Sequence, residues 1–386
     1  MRSTHILVTA LLTAGLVLGG RVEPVAGQAT DTRPSVKEEN PRDILTPQQW
    51  KSVDATVDRA LAWLATQQRA NGSFPTLEAG QPAVTSLCVL ACLARGHLPG
   101  EGRYGSGLNR AITYVLDCQQ SDGVFSRIPP TASSDPLSAS HNSNYNHPIA
   151  GLMLCEVYGM TRGDLNQRIR PAIEKALKYA SRRLPQPKRR AVDEGGWRYL
   201  LCGPSDCSDL SITSWHLMFL RSCKNAGFDV PDHLIDEALQ YVGRLYQSAP
   251  GTFVYALNDR VITRAMAGAG ILSFSLGGRH GDERARQAGE FILQHPFTRY
   301  NQPEFYNERF FYSAFYSSLA MFQLGGRHWK ECYPTLARTL IGHQRTDGSW
   351  DRDSHVFEQH YGENYTTALA VLALSPPYQL LPIFQR

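Results

Sequence analysis

The chain has 386 residues, 42% hydrophobic and 19% charged, an ordinary globular composition with length for one large or two medium domains. Its formal charge of +4 is too weak a surplus to argue for a nucleic-acid partner. Beyond the N-terminus nothing in the composition suggests disorder.

The N-terminus carries Arg2, an apolar run from Ile6 to Leu18, then Gly19-Gly20 and small residues around Gly27-Gln28-Ala29. That run is too short to span a bilayer, so residues 1–29 read as a cleaved secretory signal, with an uncleaved anchor as the alternative. The mature chain is then expected to be exported, without a transmembrane span. The segment holds Arg2, Arg21 and Glu23, so its removal lowers the charge from +4 to +3. Residues 30–50 begin with a polar, Pro-containing stretch, Thr30 to Pro41, and read as a flexible lead-in to a folded domain over 51–386.

Eight cysteines in an exported chain invite a disulfide reading. Cys88, Cys92, Cys118, Cys155 and Cys223 instead occupy apolar positions in helical patterns, which suits buried thiols acting as small hydrophobes. Cys202 and Cys207 bracket a polar loop that a disulfide could close, although spacing alone does not settle the geometry.

The first helix starts near Thr46-Pro47, with Val57, Ala60, Leu61 and Leu64 on one stripe, and ends at Gln67 to Phe74. A second helix, from about Val84 to Arg95, is apolar nearly all round, as expected for one packed on two sides. The couplet then repeats. Leu108 to Gln120 precedes Ile149 to Tyr158; Ile173 to Leu184 precedes Ser208 to Val230; a stripe from Ile235 to Val242 precedes Val261 to Leu276. Ala285 to Leu293 precedes Tyr312 to Leu324, and Leu336 to His343 precedes Thr366 to Leu374. Six couplets at a period of about 50 residues signal a repeat architecture.

The turns Gln119-Gln120-Ser121-Asp122-Gly123-Val124-Phe125 and Gln344-Arg345-Thr346-Asp347-Gly348-Ser349-Trp350, with a weaker copy at Gln67 to Phe74, resemble the Q-x-x-D-G-x-W repeats of the prenyltransferase and squalene cyclase superfamily. The resemblance covers roughly residues 55 to 380, and the tail from Pro376 to Arg386 also resembles exported bacterial members. It implies an all-α fold, the α/α toroid, in which six helical hairpins close into a ring with the second helices inside. Helices about 10 Å apart leave a central cavity of several ångströms' radius. All six inner helices would point their positive N-terminal ends at one rim, where function is expected.

The family's two reactions can be tested on Asp209-Leu210-Ser211-Ile212-Thr213-Ser214-Trp215. Protein prenyltransferases have a D-x-C-x-x-x-W pattern here; Ser211 stands where the zinc thiolate belongs, so no metal or other cofactor is expected. Cyclases protonate their substrate from a D-x-D-D-T run, of which only Asp209 survives. Asp209 is therefore a candidate acid on one reading and a helix cap on the other.

Tyr145 and His147 precede Pro148, which suits the first turn of a helix and would leave both side chains at the mouth. The competing reading is that His147 caps and braces the long loop before it. Glu308, Arg309, His360 and Glu363 are expected on the same rim, as a polar collar or as solvated loop charges. Trp215, Phe315 and Tyr316 are candidates for the cavity wall. Two functions follow. One is binding of an isoprenoid, lipid or other apolar small molecule, or of a partner, without the zinc or protonation machinery. The other is an enzyme with a different rim active site, such as a carbohydrate lyase or a lipid-modifying enzyme. The lining decides between them, since an aromatic wall suits hydrocarbon and convergent charged groups suit a polar substrate.

Overall fold

A computed structural model describes residues 40–201 and 206–385. The signal segment and residues 30–39 of the lead-in fall outside the described residues, as does Cys202. Among the described residues the fold is the expected α/α toroid, with twelve α-helices and one two-stranded ribbon, Tyr246–Gln247 against Thr252–Phe253. The outer helices are α1 (Pro47–Gln67), α3 (Gly105–Asp117), α5 (Gly163–Arg183), α7 (Asp232–Arg244), α9 (Glu283–Gln294) and α11 (Gly326–Gly342). The inner helices are α2 (Ala83–Leu93), α4 (Ala139–Val157), α6 (Leu210–Asn225), α8 (Arg264–Leu276), α10 (Phe310–Leu324) and α12 (Gly362–Leu374). Each inner helix packs on the next, and α12 returns against α2 to close the ring.

Burial separates the two sets. Every residue of α2 is buried, and α8, α10 and α12 are buried over nearly their whole length. The outer helices bury one stripe, such as Val53, Val57, Ala60, Leu61 and Leu64 of α1. The glutamines of the repeated turn join neighbouring units. Gln119 Nε2 donates to Gly123 O of its own turn and to Ala172 O of the next outer helix, at 3.2 and 2.8 Å. Gln344 does the same to Gly348 O and Thr56 O, both at 2.8 Å, so the last repeat is tied to the first. Glycine is required for two reasons: Gly348 has φ +98°, and a Cβ there would lie 2.6 Å from Arg59 O.

In four of the units the aromatic that ends the turn is held by its inner helix. The backbone N–H groups of Phe74, Trp197 and Trp350 donate to the hydroxyls of Thr85, Thr213 and Thr367. In the second unit Phe125 N donates to His147 Nδ1 at 3.3 Å, so His147 takes the place that threonine has in these three units.

Several helices begin earlier than the sequence reading, α5 at Gly163 and α11 at Gly326 among them, and one of these shifts matters for the site. α4 begins at Ala139, and Pro148 lies inside it instead of in its first turn. The Asn144 side chain bonds Ser140 O at 2.8 Å in this part of the helix. Tyr145 and His147, two residues apart, therefore point in nearly opposite directions, because each residue rotates the side chain by about 100°.

Cys88, Cys92, Cys118, Cys155 and Cys223 are free and buried, as is Cys332. Cys207 is disulfide-bonded. The far end of the ring is covered by the C-terminal residues. Leu381, Ile383 and Phe384 are buried, Phe384 meets Phe315 edge-on at 6.3 Å, and Gln323 Nε2 donates to Phe384 O at 3.2 Å.

Candidate functional site

The mouth opens where the inner helices begin. A cavity of about 310 Å³ is lined by the first turns of α2, α6, α8, α10 and α12, by α4 from His141 to Ile149, and by the connections that bear Arg198, Tyr255, Asn307 and Glu358. Its depth is apolar, with Val84, Leu87, Ile149, Met266 and Leu369. Its wall is tyrosine-rich and polar.

Tyr145 Oη donates to Ser211 Oγ at 3.2 Å, and Ser211 shares a 2.6 Å hydrogen bond with Tyr312 Oη, which also accepts from Trp215 Nε1 at 2.9 Å. Across the mouth the Tyr199 and Tyr255 hydroxyls share a bond at 3.0 Å, and the Arg198 guanidinium lies 5.3 Å from both ring centroids. Tyr361 Oη donates to Asn142 Oδ1 at 2.6 Å. Arg309 Nε donates to Glu358 Oε1 at 2.9 Å. The His141 ring packs against Tyr199, tilted by 36°, with ring centroids 3.9 Å apart.

Three atoms of this wall have no hydrogen-bond partner in the protein although they are buried: His141 Nδ1, Arg198 Nε and Glu358 Oε2. Burial, reinforced by the nearby Arg198 charge, lowers the His141 pKa, so its ring is neutral at neutral pH. Burial raises the Tyr145 phenol well above its ordinary value, which keeps it a proton donor.

Of the residues singled out from sequence, Tyr145, Trp215 and Arg309 line the cavity, and so does Ser211. The others do not. His147 points outward, packed against Tyr179, His216 and Phe219, and burial holds it neutral well below the ordinary histidine range. Phe315 and Tyr316 form a layer behind Trp215, at 5.4 and 5.8 Å. His360 is exposed and Glu363 pairs with Arg352 at 3.0 Å.

Asp209 and Glu308 are buried caps. Asp209 Oδ1 accepts from Ile212 N at 2.8 Å, while its other oxygen lies 3.8 Å from Arg198 Nε. Burial raises its pKa to about 6, against the pull of Arg198. Glu308 accepts from the N–H of Arg264, the first residue of α8, and from its guanidinium at 3.0 and 2.9 Å, deep in the structure. Asp353 caps α10 in the same way, accepting from Phe311 N at 3.1 Å. The positive helix ends recruit carboxylates, and those carboxylates are thereby withdrawn from the cavity.

Sequence reasoning missed His141, Asn142, Arg198, Tyr199, Tyr255 and Glu358. A signal existed for two of them. Tyr199 and Tyr255 each stand two residues past a turn aromatic, Trp197 and Phe253, where the chain runs out along the rim.

No protein-family model matches this sequence, and no curated protein matches it. Solved structures do. A glycosidase in complex with glucose aligns with TM-score 0.58 at 13% identity, over 88% of this chain and all of its own. The type II terpene cyclase MstE from Scytonema, as a variant in complex with its substrate geranylgeranyl dihydroxybenzoate, aligns with TM-score 0.55 at 13% identity over the same shares. The chain has the α/α-toroid fold of these proteins. At that identity the likeness is one of fold, and the fold carries a sugar in one case and an isoprenoid in the other.

Proposed function

We propose that the mouth is the active site of an enzyme acting on a saccharide, and that its reaction is elimination by a lyase mechanism. The observation that carries this reading is the wall itself: His141 Nδ1 and Glu358 Oε2, both buried and both without a protein partner, converge with phenols, Asn142 and two guanidiniums on one cavity. A hydroxyl-rich ring supplies donors and acceptors for such a wall, and unpaired buried polar groups reject ligands that lack them. Export, expected from residues 1–29, and the oxidised Cys207 agree with a substrate met outside the cytoplasm.

Hydrolysis of a glycoside uses two carboxyl groups flanking the bond. The carboxylates lining the cavity are Glu358, bound to Arg309, and Asp259, on an exposed loop. Elimination from a uronate needs a base, an acid and a cation. Neutral His141 takes the proton next to the sugar carboxylate, and Arg198 or Arg309 holds the charge that develops there. The C–H electron pair becomes the new double bond as the glycosidic C–O bond breaks, and the departing oxygen takes a proton from the Tyr145 phenol. The conjugated product absorbs in the ultraviolet.

The test is to follow that absorbance with a panel of uronate polymers, for the wild type and for His141→Ala. Turnover that falls by roughly 10²- to 10⁴-fold in the variant, with an unchanged melt, supports the reading. Full activity in the variant, or no saccharide binding in thermal shifts, overturns it. A second reading keeps one specific observation: the apolar depth from Val84 to Leu369 beside Trp215 suits an isoprenoid tail. Native mass spectrometry showing a co-purified lipid would favour that one.

A further inference from the structure

Two loops at the mouth present apolar side chains to solvent. One connects α9 to α10 and bears Tyr306, 86% exposed; the other precedes α12 and bears Val356, 58% exposed, and Phe357, 37% exposed. They lie side by side and are fastened together. His355 Nε2 bonds Asn307 Oδ1 at 2.7 Å, Arg309 pairs with Glu358, and Asn301 Nδ2 donates to Arg352 O at 2.8 Å. Asn307 and Phe357 both line the cavity, so Phe357 extends its wall outward and the loop bearing Tyr306 reaches its edge.

A rigid pair of loops showing so exposed a tyrosine is unusual, because burial would otherwise recover its apolar area. Sugar rings have apolar faces of C–H groups, and a rigid aromatic ring with a polar tip offers such a face a large contact at little entropic cost. We propose that Tyr306 and Phe357 form a second subsite, which holds the sugar next to the one in the cavity, so that the ligand is an oligomer or polymer and not a single sugar. This inference rests on the saccharide reading of the cavity.

Calorimetry with galacturonic acid and with di- and trigalacturonide, on the wild type and on Tyr306→Ala and Phe357→Ala, tests it. The expected result is affinity that rises roughly tenfold from one unit to two in the wild type. Either variant should abolish that gain, and Tyr306→Ala, at an exposed residue outside the cavity lining, should leave monosaccharide affinity within about twofold and the fold unchanged. Monosaccharide binding with no gain on lengthening, or a gain that survives in both variants, overturns the subsite and leaves the cavity reading intact. If no saccharide binds, the cavity reading fails first and the subsite with it. Sedimentation with phosphatidylglycerol vesicles, abolished by Tyr306→Ala, would assign the aromatics to a lipid surface and also overturn the subsite.

Discussion

The two ends of the ring are made by the same inner helices and are chemically opposite. At the mouth, buried carboxylates accept from the free N–H groups of helix starts, as Asp209, Glu308 and Asp353 do. At the far end, hydroxyls donate to the last carbonyls: Ser318 to Ala373 O at 2.6 Å and Tyr333 to Leu374 O at 2.8 Å. The mouth stays open over a polar wall, while the far end is covered by Leu381, Ile383 and Phe384. Helix polarity thus assigns acceptors to one end and donors to the other, and function is left to the polar groups that are surplus to capping.

The largest effect that would test this contrast is at Glu308. Glu308→Ala should cost about 3–5 kcal/mol in chemical denaturation, because it leaves the Arg264 charge buried and unpaired. A loss below about 1 kcal/mol would show that the mouth carboxylates are not structural.

At the far end the buried carboxylate of Glu156 accepts from Ser222 Oγ and, at 3.4 Å, from Ile383 N in the tail. Burial raises its pKa to about 7 from an ordinary 4.5. A raised carboxyl favours the fold most below the unfolded value, and that contribution is lost as the pH climbs from about 4.5 through 7. Glu156→Gln should flatten this dependence, by up to about 3 kcal/mol, in melts taken across that window.

A smaller effect is expected at the mouth, in the pH profile of turnover. With His141 neutral as base and its pKa lowered by burial and Arg198, the acidic limb of kcat/KM should lie below the ordinary histidine value of 6.5. A limb at or above that value would remove His141 from the role of base.

The smallest concerns Asp209. Asparagine caps as well as aspartate, so Asp209→Ala should be less stable than Asp209→Asn by about 0.5–2 kcal/mol in thermal melts. Equal losses would mean that the ion pair with Arg198, and not the cap, is what Asp209 contributes.

Much of this was legible from residues alone. The spacing of Val57, Ala60, Leu61 and Leu64, the all-apolar inner segments and the Gln and Gly of the turns determine six hairpins, their inner and outer faces, and a shared rim. They do so because burial pattern and turn chemistry are local properties that read the same in any tertiary context. Which polar side chains face the cavity is not local. Tyr145 enters it and His147, two residues on, packs outward; Tyr312 lines it while Phe315 and Tyr316 stand behind Trp215. Only closure of the ring sets the rotation of each helix, and a shift of one residue turns a side chain by about 100°. Closure likewise decides that Glu308 meets the start of α8 and becomes a cap, while Glu358, held by Arg309, keeps one oxygen for the cavity.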